Sequence, residues 1–297
     1  MAGYKPGGSL SGLPLSHSGT RCRKVVQKRS QCAKVLFVSA VQSEMMEEKK
    51  SGGGGHKKLP GLTVKDGYTR HPFDEHHGVR TSGLVAGRNL RSGHASDRHN
   101  TAYYGVAPSV FNALLARWRR TPQLAPLDQY TFIDLGAGMG RAVLLASEHN
   151  FKKVIGVEIH PTLAGIARRN VRHWKATGQA TAPVTVRCED VLDFRFPAGN
   201  CVLFLFNPFG APVLRRLLKR LAAEFTGREN QLDLLYVNRE QEHVLEMQPG
   251  LRRLFLGPVR RSREDAIADY RILANQPDGE YASSNSEDCS VWRWTGA

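Results

Sequence analysis

Four polar side chains close four apolar runs: Asp134 after Thr131-Phe132-Ile133, Glu158 after Val154-Ile155-Gly156-Val157, Asp190 shortly after Val184-Thr185-Val186, and Asn207 after Leu203-Phe204-Leu205-Phe206. Each run reads as a strand by length and composition. In an open parallel sheet, ligands bind beyond the carboxyl ends of the strands, where strand order reverses. Four such ends therefore point to one polar site. A carboxylate accepts two hydroxyl hydrogen bonds at once, so Glu158 suits a diol; as a cap for the helix that opens at Pro161 it would serve structure alone.

Between the first strand and the next helix lies Leu135-Gly136-Ala137-Gly138-Met139-Gly140-Arg141. Glycines at 136 and 138 let backbone approach a ligand closely, having no Cβ. The helix start at 139–141 aims N–H groups and a positive dipole end at the same place. A dinucleotide fingerprint would need G-x-G-x-x-G. Here the third glycine falls one residue early, at Gly140, and Arg141 takes the expected place. Asp134, two residues before the first glycine, would repel a pyrophosphate and suits an ammonium group.

With these strand ends, the run from Tyr130 to Arg141 resembles motif I of the class I S-adenosylmethionine-dependent methyltransferases. The resemblance covers about residues 71–275. It implies a doubly wound, mostly parallel seven-stranded α/β sheet of Rossmann-like type, with S-adenosyl-L-methionine as methyl donor. It places Asp134, Gly136, Ala137, Gly138 and Gly140 at the cofactor, Glu158 on its ribose, and Asp190 with the Val191 backbone on its adenine; Glu189 is the alternative to Asp190. Tyr103-Tyr104-Gly105-Val106-Ala107-Pro108-Ser109 resembles the arm over the methionine end, which adds Tyr104.

Asn207-Pro208-Phe209 is similar to the N-P-P-[FY] pattern of enzymes that methylate planar nitrogens, with one proline where that pattern has two. There the Asn side chain and a proline carbonyl accept from the target NH₂ while the ring stacks on it. The run from Asn207 to Val213 also resembles the non-SET lysine methyltransferases of histones, whose acceptor is an aliphatic amine reached through an apolar channel. These likenesses imply catalytic roles for Asn207, Pro208 and Phe209, and a nitrogen acceptor. Protein side-chain amines stand ahead of nucleic-acid bases and small molecules. The stretch from Phe73 to Gly83 resembles the leader of a little-characterised bacterial branch, which carries an acidic residue where Arg80 stands.

The elements that position these groups follow from periodicity. Residues 103–120 read as a helix with Val110, Leu114, Leu115 and Trp118 on one face. Strands are expected at 130–134, 153–157, 184–187, 201–206 and 232–237, alternating with helices at 141–149, 161–175, 213–225 and 241–247. That alternation predicts parallel pairing with helices on both faces. Segments 251–256 and 266–273 read as a closing antiparallel pair, and Trp292 with Trp294 suits a final strand. The domain reading is a disordered basic Gly/Ser-rich extension over 1–60, a connector and helix covering the cofactor site over 61–120, the methyltransferase domain over 121–275, and a polar tail over 276–297. Met45 and Met46 offer alternative starts.

The chain has 297 residues, 41% hydrophobic, with a net charge of +15. Residues 1–100 hold 17 Lys and Arg against 7 Asp and Glu; residues 101–275 hold 24 against 16. The excess permits anionic partners and serves solubility equally. The Arg pairs 168/169, 215/216, 252/253 and 260/261 would form a nucleic-acid groove only by converging beside the cofactor pocket with aromatic side chains. Five cysteines without a C-x-x-C pair fit a reduced, cytoplasmic setting, and no apolar run nears the roughly 20 residues that span a bilayer. His71, Asp74, Glu75, His76 and His77 lack the H-x₃-H spacing of a metal site, so a lid or solvated loop is expected and no metal. Two rival readings remain: a nicotinamide-dependent oxidoreductase, and a non-catalytic module that holds RNA or an acidic protein.

Overall fold

Cys201-Val202-Leu203-Phe204-Leu205 offers water no polar side chain on either face, and all five residues are buried in the middle of a sheet. The computed structural model describes residues 69–274 and 283–296. The extension over 1–60, the Met45/Met46 starts, Cys22 and Cys32 lie outside them.

The sheet comprises β3 (Tyr130–Leu135), β4 (Lys153–Glu158), β5 (Val184–Cys188), β6 (Asn200–Phe206), β7 (Leu232–Val237), β8 (Leu251–Arg260) and β9 (Ser286–Trp294). Their order is β5-β4-β3-β6-β7-β9-β8. The pairs β5·β4, β4·β3, β3·β6 and β6·β7 are parallel, while β9 runs antiparallel to both β7 and β8. Order reverses at β3, so the switch point lies where Asp134 and the glycine turn stand. This is the doubly wound, mostly parallel seven-stranded α/β sheet expected from the sequence.

After a short first helix, α1 (Pro72–His77), helices cover both faces. On one, α2 (Pro108–Arg119) buries Val110, Phe111, Leu114, Leu115 and Trp118. It shares a core with α3 (Arg141–Ser147) and α4 (Pro161–Ala176). On the other, α5 (Ala211–Glu224) and the short α6 (Glu242–Glu246) pack against β6 and β7. The helix expected over 103–120 begins only at Pro108, whose fixed φ suits a first helical turn. Tyr103–Tyr104 is instead β2, paired antiparallel with β1 (Leu84–Val85).

Segment 266–273, expected as a strand, lies in helix α7 (Arg263–Ala274). Its buried residues are Asp265, Ala266, Ala268, Asp269, Ile272 and Leu273, a helical rather than alternating spacing. Ser262 marks its start, accepting from Asp265 N at 3.1 Å. The closing strand is β9, which lies inside the stretch taken as a polar tail and inserts between β7 and β8. Its Arg293 is buried against Asp233 (Nε–Oδ1 2.7 Å, Nη2–Oδ2 2.8 Å), and Trp118 Nε1 donates to the same carboxylate at 2.7 Å. Burying a charged strand residue is tolerable only with such pairing.

Candidate functional site

The glycine turn is shaped by what leans on it. Gly136 has φ +80°, and a Cβ there would fall 2.4 Å from Pro208 Cβ. At Gly138, φ is +53° and a Cβ would meet the Tyr103 ring at 2.1 Å. Both the left-handed backbone and the close approach demand glycine. The N–H groups of Gly136 and Ala137 donate to Val157 O at 2.9 Å, which fastens the turn to β4. Gly140, at φ +91°, precedes the first residue of α3.

Arg141 explains the departure from the dinucleotide spacing. Its side chain is buried and turned away from the turn toward the connector: Nε donates to Thr81 Oγ1 at 2.7 Å, Nη2 to Ser82 Oγ at 3.1 Å, and Nη1 to Gly105 O at 3.3 Å. Asp74, fully buried, accepts from Thr81 N and Ser82 N at 2.6 and 2.7 Å and lies 3.7 Å from Arg141 Nη2. The Phe73-to-Gly83 leader is thereby tied to the helix that follows the turn. Its histidines take structural places. His71 Nδ1 accepts from Phe73 N at 3.1 Å and its Nε2 stands 3.3 Å from Asp265, while His77 packs on Trp174 at 4.8 Å between rings. Arg80 contributes backbone, exchanging hydrogen bonds with the Asn170 amide at 3.0 and 2.7 Å.

A cavity enclosing about 740 Å³, part of it open to solvent, lies at the carboxyl ends of β3, β4, β5 and β6. Of the residues singled out in the sequence, Tyr104, Gly136, Gly138, Glu158, Asp190, Val191, Pro208 and Phe209 line it. Asp134, Ala137, Gly140 and Asn207 are buried or nearly so but are not among its lining residues.

The three carboxylates differ in their company. Glu158 accepts from Gly138 N through Oε2 at 2.7 Å and from His160 N through Oε1 at 2.8 Å. It therefore braces the glycine turn and the entry to α4 together. Burial raises its pKa, while the N–H groups of His160 and Gly138 oppose the rise. Asp134, at the end of β3, is pushed up to about 8 by burial and secondarily by the charge of Glu158. At neutral pH it carries its proton, and a nearby cation would favour releasing it. Asp190 Oδ1 accepts from Leu192 N at 2.8 Å; its Oδ2 accepts from Ser96 Oγ at 2.8 Å and lies 3.1 Å from His94 Nδ1.

Those last two contacts come from a segment whose role in the lining periodicity did not disclose. Leu90, Ser96, Asn100, Thr101 and Ala102 line the cavity together with His160, Leu163 and Phe206. Asn100 bridges to Phe209, and Gly210 N donates to His99 O at 2.9 Å. Residues 84–104, the lid of the cavity, thus meet the Asn207-Pro208-Phe209 turn. Pro208 O accepts from Thr101 N at 3.4 Å, and Asn207 O accepts from Thr101 Oγ1. The Asn207 side chain, on a backbone at φ +41°, accepts through Oδ1 from Tyr236 Oη at 3.1 Å. No spacing rule signals these partners, since 84–104 holds only two-residue strands and single turns of 3₁₀ helix. Only His160, two residues past a strand-end carboxylate, was discoverable by position.

Among the described residues no group of three or more His, Cys, Asp or Glu is placed to hold a metal ion, and no helix is long and apolar enough to cross a membrane.

No family model matches the chain, and no curated protein does. Solved structures match it in part. A putative tRNA (m1A22) methyltransferase of Streptococcus pneumoniae is 16% identical, with 62% of this chain and 70% of that one covered and a TM-score of 0.40. A putative RNA methyltransferase from Pyrococcus horikoshii is 14% identical, covering 63% and 84% at a TM-score of 0.40. The cyclase SpnF is 16% identical, covering 64% and 82% at 0.43. At these scores the likeness carries neither ligand nor reaction over to this chain.

Proposed function

We propose that the chain is an S-adenosylmethionine-dependent methyltransferase with a nitrogen acceptor. The observation that carries this is the meeting of Gly136, Gly138, Glu158, Asp190 and Val191 around one cavity at the switch point of the sheet. The donor set fits the cofactor. That molecule bears an ammonium, a ribose diol and an adenine amine, all cationic or hydrogen-donating, and the site answers with three carboxyl groups. Each Glu158 oxygen holds one backbone N–H and has a second lone pair for a hydroxyl. Asp190 Oδ1 likewise has room beside Leu192 N. Asp134, behind the turn, would ionise in the field of a cationic ligand.

When bound, the cofactor would supply an activated methyl group, carried on cationic sulfur, for transfer to the acceptor nitrogen. The chain's part is positional, which is where most of the acceleration of such a step resides. Pro208, Phe209 and Phe206 border the cavity with apolar surface, and this border favours the neutral form of an amine acceptor. Asn207 keeps one Oδ1 lone pair beside the Tyr236 bond with which to orient an N–H.

Titration calorimetry with S-adenosylmethionine on wild type, Asp134→Ala and Glu158→Ala tests the pocket; unchanged affinity in both variants would refute it. The engagement of Asn207 with Tyr236, away from the cavity lining, favours one other reading: a module that keeps the pocket without transferring a methyl. Methyl transfer that disappears in Asn207→Ala excludes that reading.

A further inference from the structure

Five exposed cations stand within a few residues of positions that line the cavity. Arg91 follows the lining residue Leu90, and Arg98 stands between the lining residues Ser96 and Asn100. On α5, Arg215 and Arg216 come two and three residues after the lining Val213, with Lys219 about one turn further, ~6 Å along the axis. All five are exposed. Among the described residues none of them pairs with a carboxylate, in contrast to Arg220 on the same helix. Arg220 turns inward, donating to Phe194 O at 2.8 Å and pairing with Glu224 at 2.7 Å. The two cationic segments adjoin, since Gly210 N, at the cap of α5, donates to His99 O. Nearby acids are fewer. They are Asp97, kept ionised by Ser92 N, Ser92 Oγ and Gly93 N at 2.8, 2.6 and 2.9 Å, with Glu189 and Asp193.

We propose that this rim docks the sugar–phosphate backbone of a single-stranded nucleic acid, delivering an unpaired base as the methyl acceptor. The inference deepens the methyltransferase reading and rests on it for the word acceptor; the docking itself does not. Unpaired cations beside a cavity raise the local concentration of a polyanion. The Tyr104 and Phe209 rings in the lining supply aromatic surface to a flat base, which an acidic peptide has no group to use. A base must leave its stack to reach a cavity of this kind, so single strands bind in preference to duplex. Of the Arg pairs, 215/216 follows the lining residue Val213 on α5, and Arg91 and Arg98 add two cations that no pair pattern marked.

The test uses the full chain and a fluorescein-labelled, mixed-sequence 24-nucleotide RNA, read by anisotropy across a potassium chloride series. The quadruple variant Arg91→Glu/Arg98→Glu/Arg215→Glu/Arg216→Glu is expected to weaken binding at least about tenfold at low salt. Its log–log salt slope should be shallower by about 3, the loss of four phosphate contacts to a single strand. The milder set of Arg→Gln changes should fall between it and wild type. The control Arg119→Glu/Arg120→Glu, exposed at the amino-end side of the sheet, should bind RNA as wild type does. S-adenosylmethionine affinity, measured on the same proteins, should be unchanged and confirms that the variants fold. Absence of RNA binding at 50 mM salt, equal loss in the control pair, equal affinity for the annealed duplex, or equally tight binding of polyglutamate would each overturn the proposal. RNA binding without S-adenosylmethionine binding would sink the cofactor reading and leave the rim standing.

Discussion

Asp134, Glu158 and Asp190 are buried at the strand ends, whereas Arg91, Arg98, Arg215 and Arg216 stand exposed close in sequence to residues that line the cavity, and the two sets obey different physics. The acids sit where water cannot screen them. Each is therefore matched by backbone N–H groups, by a hydroxyl, or by keeping its proton. The cations keep their hydration and need no partner, so their influence extends about 10 Å at 0.1 M salt and fades as salt rises. Geometry governs the buried set, and ionic strength governs the exposed one.

Replacing a floor residue should show the largest effect. Glu158→Ala removes the acceptor of two backbone N–H groups and of the ligand diol. With hydrogen bonds to charged groups near 1.5–3 kcal/mol each, S-adenosylmethionine affinity should fall about 100-fold or more in calorimetry, equally at 50 and 300 mM salt. A strong salt dependence of that loss would erase the contrast with the rim.

Gly138→Ala sets a methyl 2.1 Å from the Tyr103 ring at φ +53°. It should cost about 1–3 kcal/mol of stability by denaturant unfolding. Adding Tyr103→Ala should recover the steric part and leave the backbone part; no recovery would mean that the ring does not set the turn.

The pH response sharpens the floor further. A folded pKa of about 8 against an unfolded value near 3.8 means that the native state binds the extra proton. The contribution of Asp134 is thus complete below about pH 4 and is lost as pH rises through 8, at up to about 1.4 kcal/mol per unit. Asp134→Asn should flatten this decline between pH 5 and 8 in thermal melts, while Glu158, also raised, retains its share. A parallel pH profile in the variant would show that Asp134 is ionised in the native chain.

The smallest change expected is at the junction of the two sets. Ser96→Ala removes one hydroxyl from Asp190 and should cost about 1 kcal/mol of stability. RNA binding should stay as in wild type, and a loss comparable to that of the arginine variants would mean that the lid, not its charge, makes the surface.

The parallel core and the strand-end residues were legible because burial on both faces writes itself into continuous apolar runs, as at β6. Segment 266–273 misled because a short apolar run has no decisive period; the spacing of Asp265, Ala268, Asp269 and Ile272, read together with Ser262 as a cap, favoured a helix. The lid was illegible for another reason. Ser96 and Thr101 act through single tertiary hydrogen bonds to Asp190 and Asn207, 94 and 106 residues away, and such contacts leave no periodic trace. Asn207 was found as a strand end, yet its tie to Tyr236 needed the fold.

β9 lies between β7 and β8 although it is made last of the three. Until Ser286–Trp294 leaves the ribosome, β7 presents a bare edge, β8 has nothing to pair with, and Asp233 lacks its guanidinium. The nascent chain therefore completes its sheet only once β9 has been made, and a chain lacking that strand would carry an open seam rather than be a slightly shorter protein.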